Sequence, residues 1–241
     1  MTLLTSGCAT TTTPHSEHKS HWGYTGHEGP EYWGDLNPKF STCTTGVNQS
    51  PIDLTNFIES ELTPLKMLYK SNADNIVNNG HTIQVNYQPG SILTVSGHDY
   101  ELKQFHFHSP SENHINGKSY PLEAHLVHAD DKGNLAVVAV MFKENDENKT
   151  MKDIWALMPE KSGAKNHQLS KISVEGILPT NRDYYRFNGS LTTPPCSEGV
   201  LWIVMKQALT ASKGQVEHFG HIIDLPNNRP IQDINARAIL K

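Results

Sequence analysis

Two histidines spaced two residues apart, His106 and His108, stand in the run Leu102-Lys103-Gln104-Phe105-His106-Phe107-His108. On an extended strand, residues two apart share a face, so both imidazoles project together while Phe105 and Phe107 turn to the other, apolar side. A second run, Glu123-Ala124-His125-Leu126-Val127-His128, presents His125 on the same face as Glu123 and Val127. Three imidazoles can converge on one divalent cation. Gln104 precedes His106 by two and Glu123 precedes His125 by two. A carboxamide oxygen and a carboxylate therefore stand where each could accept the second ring N–H of a ligating imidazole. Histidines satisfied within a polar core, or surface strand histidines in a chain holding 14 of them, are the alternative reading; neither explains why partners sit beside two of the three. Three His without a nearby Cys point to Zn²⁺ in an open site, with a fourth position left for water. Neutral imidazoles leave the ion's charge uncompensated, so that water ionises near neutrality and becomes a nucleophile.

Such residues need a sheet to hold them. Alternating apolar and polar runs bounded by turn residues predict strands over residues 81–87, 91–95, 100–108, 122–128, 135–142 and 200–206. Asp130-Asp131-Lys132-Gly133-Asn134 reads as a hairpin turn, which makes the two strands it joins antiparallel. One good helix is expected over residues 150–158, with Thr150 as cap and Ile154, Leu157 and Met158 on one face. The domain is sheet-dominated, with few short helices and long loops.

Composition narrows the class. The 241 residues carry 20 Lys plus Arg against 25 Asp plus Glu, a net charge of −5 without a dense basic stripe, which argues against a nucleic-acid partner. Hydrophobic residues make up 36%, enough for a core, and no apolar run approaches the roughly 18 residues that span a bilayer. From His21 onward the composition is even, so residues 21–241 read as one domain. Residues 1–20, rich in Thr and Ser, read as a disordered lead-in. Within it, Leu3-Leu4-Thr5-Ser6-Gly7-Cys8 is similar to the end of a bacterial lipoprotein signal, with Cys8 as the lipidated residue and a Thr-rich tether after it.

Several blocks then occur in one order: His21-Trp22-Gly23-Tyr24, Gly29-Pro30-Glu31-Tyr32-Trp33, Asn48-Gln49-Ser50-Pro51-Ile52-Asp53, Asn79-Gly80-His81, the first histidine run, Ser111-Glu112, the second histidine run, Asn188-Gly189-Ser190-Leu191-Thr192-Thr193-Pro194-Pro195 and Asn228-Arg229-Pro230. With these blocks the chain resembles the α-class carbonic anhydrases, most closely the secreted bacterial ones, over residues 21 to about 240. The resemblance implies an α+β fold: one large, twisted, mostly antiparallel sheet with short peripheral helices. It implies zinc on His106, His108 and His125, and reversible hydration of carbon dioxide to bicarbonate and a proton by a zinc-bound hydroxide. Thr192 would accept from that hydroxide and donate to Glu112; a hydroxyl has one hydrogen, so a carboxylate that takes it leaves only acceptor capacity toward the metal. Thr193 would line the site. His81 matches the proton shuttle, with Tyr24 and Asn79 ordering water beside it. An imidazole suits that task because its ordinary pKa lies near that of the group it must deprotonate. Val127, Val137, Leu191, Val200 and Trp202 would form the apolar wall for the substrate; they read equally well as sheet core. Cys43 and Cys196 match the disulfide of the bacterial members, which implies a periplasmic or secreted protein. Bacterial relatives often form homodimers.

Two rivals remain at this level. One is a non-catalytic zinc-binding module of the same fold, and the other is a periplasmic zinc buffer, suggested by the histidine count. Relatives without activity typically lack a ligand, whereas all three are present here.

Overall fold

The computed structural model describes residues 21–169, 172–224 and 226–241; the lead-in expected over residues 1–20, with Cys8, lies outside them. In chain order the strands are β1 (Asp53–Leu54), β2 (Lys66–Leu68), β3 (Ala73–Asn78), β4 (Ile83–Tyr87), β5 (Ile92–Val95), β6 (His98–His108), β7 (His114–Ile115), β8 (Leu122–Ala129), β9 (Leu135–Glu144), β10 (Lys165–Asn166), β11 (Tyr184–Ser190), β12 (Glu198–Met205) and β13 (Leu209–Ala211). Eleven of them form one sheet, ordered β10-β3-β4-β6-β8-β9-β12-β11 along its main path, with β2, β5 and β13 attached at the sides; β1 and β7 pair separately. The pairing is antiparallel except where β12 and β13 run parallel to β9 and β1 to β7. This is the sheet-dominated, mostly antiparallel architecture the resemblance implies.

Alternation along β9 shows how the sheet buries both faces. Ala136, Val138, Val140 and Phe142 enter one apolar cluster, under the helices, while Val137, Ala139 and Met141 enter another on the opposite face. A strand buried on both sides reads as the unbroken apolar run that this one is. The expected hairpin between β8 and β9 is present: Asp130 Oδ1 accepts from the backbone N–H of Lys132 and Asn134.

The helices differ from expectation. The predicted helix begins a residue earlier and ends at the tryptophan, α3 (Lys149–Trp155), capped by Asn148 rather than Thr150 because the Asn148 side chain accepts from Met151 N. A longer helix, α4 (Lys213–Ile223), stands where none was expected. Its signal was the capping box Ser212-Lys213-Gly214-Gln215, in which Ser212 and Gln215 satisfy each other's backbone N–H. Short helices α1 (Trp33–Leu36) and α2 (Thr42–Thr45) precede the sheet.

Candidate metal centre

Strands β6 and β8 are antiparallel neighbours in the middle of the sheet, with His106 directly opposite His125 and His108 opposite Glu123. Phe105 and Phe107 are fully buried on the helix side, Phe107 edge-on to Trp155, so the pleat turns His106 and His108 to the other face. The ring centroids lie 5.0 Å apart for His106 and His108, 5.4 Å for His106 and His125, and 4.6 Å for His108 and His125.

Each ring is held by an oxygen that can only accept. His106 Nδ1 meets Gln104 Oε1 at 2.8 Å, His125 Nε2 meets Glu123 Oε1 at 2.9 Å, and His108 Nδ1 meets the Asn227 carbonyl at 2.7 Å. Those nitrogens therefore carry the hydrogens, and the lone pairs reside on Nε2 of His106, Nε2 of His108 and Nδ1 of His125. One ligating atom from each residue lies within 4.8 Å of the others. His108 Nε2 is buried and has no hydrogen-bond partner among the described residues. Burial lowers all three imidazole pKa values, with mutual repulsion adding to it at His106 and His125, so the rings are neutral and able to donate lone pairs. An unpartnered buried nitrogen among three converging neutral imidazoles fits a cation such as Zn²⁺.

Around the rings lies a second tier. Glu123 accepts from the N–H of Glu112 and Asn113 and from Asn113 Nδ2, which fixes the carboxylate that orients His125. The Glu112 carboxyl is pushed up to about 8 by burial, against the opposing pull of the Arg229 N–H and the Thr192 hydroxyl. Its Oε1 accepts from Arg229 N at 2.9 Å, while Oε2, which accepts no hydrogen bond of ordinary geometry from the described residues, lies 3.5 Å from His108 Nε2 and 3.8 Å from His125 Nδ1.

A family model described as eukaryotic-type carbonic anhydrase matches residues 28–241. The chain belongs to that family. It is 45% identical over 240 residues to a carbonic anhydrase of Neisseria gonorrhoeae, covering 99% of this chain and 94% of that one. A Pectobacterium carotovorum carbonic anhydrase is 44% identical over 220 residues, 91% of this chain and 90% of its own. The solved α-carbonic anhydrase of Thermovibrio ammonificans, in complex with the inhibitor sulfanilamide, superposes with a TM-score of 0.90 at 50% identity, covering 92% of this chain and 99% of that chain.

The other residues that the carbonic anhydrase resemblance singled out fall into two groups around the histidines. Val137, Val200 and Trp202 are buried in one cluster, with Val127 and Leu191 packed against it, and the Trp202 ring stands edge-on to His125 at 4.9 Å. They are core and wall at once. Thr192 is buried and Thr193 half-buried in the turn after β11, where Cys196 N donates to Thr193 O at 2.9 Å and Cys196 is bonded to Cys43. That turn hangs from a strand end locked by reciprocal bonds: Ser50 N to Ser190 Oγ and Ser190 N to Ser50 Oγ. His81 is half-buried and stacks on Trp22 at 3.8 Å, with Tyr24 edge-on at 6.5 Å. Tyr24 also senses Glu112, whose charge helps burial raise its pKa. Asn79 uses its Oδ1 on the backbone N–H of His81 and Thr82, so it shapes the turn that carries His81.

Sequence reasoning passed over Asn227 as the partner of His108, and Arg229. The buried Arg229 guanidinium donates to Gln49 Oε1, the Ser50 carbonyl and the Cys43 carbonyl and lies over Trp33, joining the disulfide segment to the strand of chain that holds Glu112. The block Asn228-Arg229-Pro230 marked the place without the role.

Proposed function

We propose that this chain is a zinc lyase catalysing the reversible hydration of carbon dioxide to bicarbonate and a proton. The observation that carries this reading is the set of three neutral imidazoles, each with its outer nitrogen engaged by an acceptor and its inner nitrogen facing the other two. His106, His108 and His125 would hold Zn²⁺, which supplies Lewis acidity and makes water nucleophilic at neutral pH. Gln104, Glu123 and the Asn227 carbonyl keep the tautomers that face the ion. Thr192, tied to Glu112, presents only acceptor capacity toward the nucleophile and so orients it. Val127, Val137, Leu191, Val200 and Trp202 give an uncharged substrate an apolar surface beside His125, and Thr193 closes the site next to them. His81 accepts the released proton and passes it to solvent, with Tyr24 beside it.

Stopped-flow hydration of carbon dioxide tests this: turnover is expected with zinc, loss with a strong chelator, and return on adding zinc. His108→Ala should abolish both tight zinc and turnover, since two ligands cannot hold an open tetrahedron. Binding of several weak ions without turnover would favour a zinc buffer instead. The Cys43–Cys196 bond and the bacterial relatives support an oxidising compartment, periplasmic or secreted. No helix among the described residues is long and apolar enough to cross a membrane. A lipid on Cys8 and a homodimer complete the proposal; mass spectrometry of membrane-extracted protein and light scattering check them.

A further inference from the structure

His81 lies in the turn between β3 and β4, and its ring makes no hydrogen bond to another described residue; the stack on Trp22 is its main contact. The backbone of the turn must therefore set where the ring stands. Asn79 closes that turn on itself, and two straps tie it to β6. Thr82 Oγ1 donates to the Phe107 carbonyl at 2.5 Å. Asn227 Nδ2 donates to both the His81 carbonyl and the Phe107 carbonyl at 3.0 Å. Phe107 is the residue between His106 and His108. Asn227 is 1% exposed, its Oδ1 accepts from Ser109 N at 2.8 Å, and its own carbonyl accepts from His108 Nδ1. Both atoms of its amide and its main chain are thus engaged, across 119 residues of sequence to a ligand and 146 to His81.

We infer that the Asn227 side-chain amide is a positioning residue for proton export: by bridging the carbonyls of His81 and Phe107 it sets the distance between the exporting imidazole and the strand that carries two ligands. The inference rests on the reading of His81 as the exporting base. Proton transfer depends steeply on the separation of donor and acceptor, and a displacement of about 1 Å costs up to 10²-fold in rate. The carbonyl of the same residue serves metal retention, so the two roles separate chemically: one belongs to the main chain and survives substitution, the other to Nδ2 and does not.

Asn227→Asp keeps the shape and the acceptor for Ser109 N, but sets a carboxylate oxygen against two carbonyl oxygens. In weak buffer its kcat should fall roughly tenfold, at least three times further than kcat/KM, and added imidazole should restore kcat. In the zinc-free protein, amide NMR should show the Asn227 side-chain protons protected from exchange in the parent, and the His81 and Thr82 backbone resonances displaced in the variant. Parallel loss of kcat and kcat/KM, or unprotected Asn227 protons in the parent, would overturn the inference. So would an unchanged kcat in Asn227→Asp while His81→Ala loses its own. If His81→Ala itself keeps full kcat in weak buffer, the shuttle assignment fails first and takes this inference with it. Should Asn227→Asp not fold, Thr82→Val cuts the other strap and must give the same split between kcat and kcat/KM.

Discussion

Glu123 Oε1 accepts from His125 Nε2 at 2.9 Å, and the same carboxylate is saturated by three further donors from Glu112 and Asn113. An acceptor held from several sides cannot swing away, so His125 is left with one tautomer and one orientation. Glu123→Gln places a donor among these donors. Its zinc affinity should fall roughly 10- to 100-fold, measured by competition with a calibrated chelator, with faster metal loss and little change in the fold by circular dichroism.

His81 sets the proton-export limb of the pH profile. Burial, then the charge of His21, holds its pKa below the usual 6.5. It accepts protons only when neutral, so a lowered pKa keeps it competent to a lower pH than an ordinary histidine. The fall of kcat on acidification due to this group should lie below pH 6.5 and vanish in His81→Ala. That variant should also turn over more slowly in weak buffer and recover with imidazole, as initial rates across buffer concentrations would show.

The buried His128 gives an acid-stability prediction. Its Nε2 meets the Tyr69 hydroxyl at 2.8 Å, and burial holds its pKa down to about 4. The unfolded chain binds that proton near the usual 6.5, so the native state keeps its full margin above pH 6.5 and loses it as the pH falls toward 4. The loss from this one group is about 3 kcal/mol. His128→Gln should start less stable at pH 8 yet lose about 3 kcal/mol less between pH 7 and pH 4, read by denaturant unfolding at each pH. Equal slopes for the two proteins would rule this out.

Gly189 has no room for a side chain. A Cβ there would fall 2.1 Å from Ser50 Oγ and 3.0 Å from the Trp202 ring, in the place where Ser50 and Ser190 lock the strand that leads to Thr192. Gly189→Ala should destabilise by about 2 kcal/mol through overpacking. Combined with Ser50→Ala it should cost less than the sum of the two, because they share one contact.

Reducing the Cys43–Cys196 bond releases a loop of sequence separation 153. The chain-entropy model assigns such a loop roughly 5 kcal/mol of unfolded-state freedom. Denaturant midpoints with and without strong reductant measure it, and the unfolded, unreduced chain should titrate no thiol from Cys43 or Cys196, leaving at most one, that of Cys8 in protein that carries no lipid.

Legibility in the sequence followed the range of the interaction. His106, His108 and His125, with Gln104 and Glu123, could be read because strand periodicity acts over two residues. Strands of clear alternation could be read for the same reason, whereas β3, with Asn75 and Asn78 among its apolar residues, and β11, with Arg186 and Asn188, did not stand out. The α4 helix hid behind Gly214 at its start and a stripe diluted by Gly220 and His221, although its capping box was present. Asn227 could not have been found by pattern: the group that holds His108 is a backbone carbonyl, which every residue has, and only the fold brings it there. The apolar wall was legible as core but needed the resemblance to be read as a surface for substrate.

The orienting acceptors of His106 and His125 arrive within two residues of their rings, but that of His108 is supplied by Asn227, 119 positions later. During synthesis or refolding, the β6–β8 pair can present only two correctly turned rings until that distant stretch docks. Tight capture of the cation is thereby made a reporter of completed assembly: a chain truncated before Asn227 should meet the ion with a loose third ring and let it go.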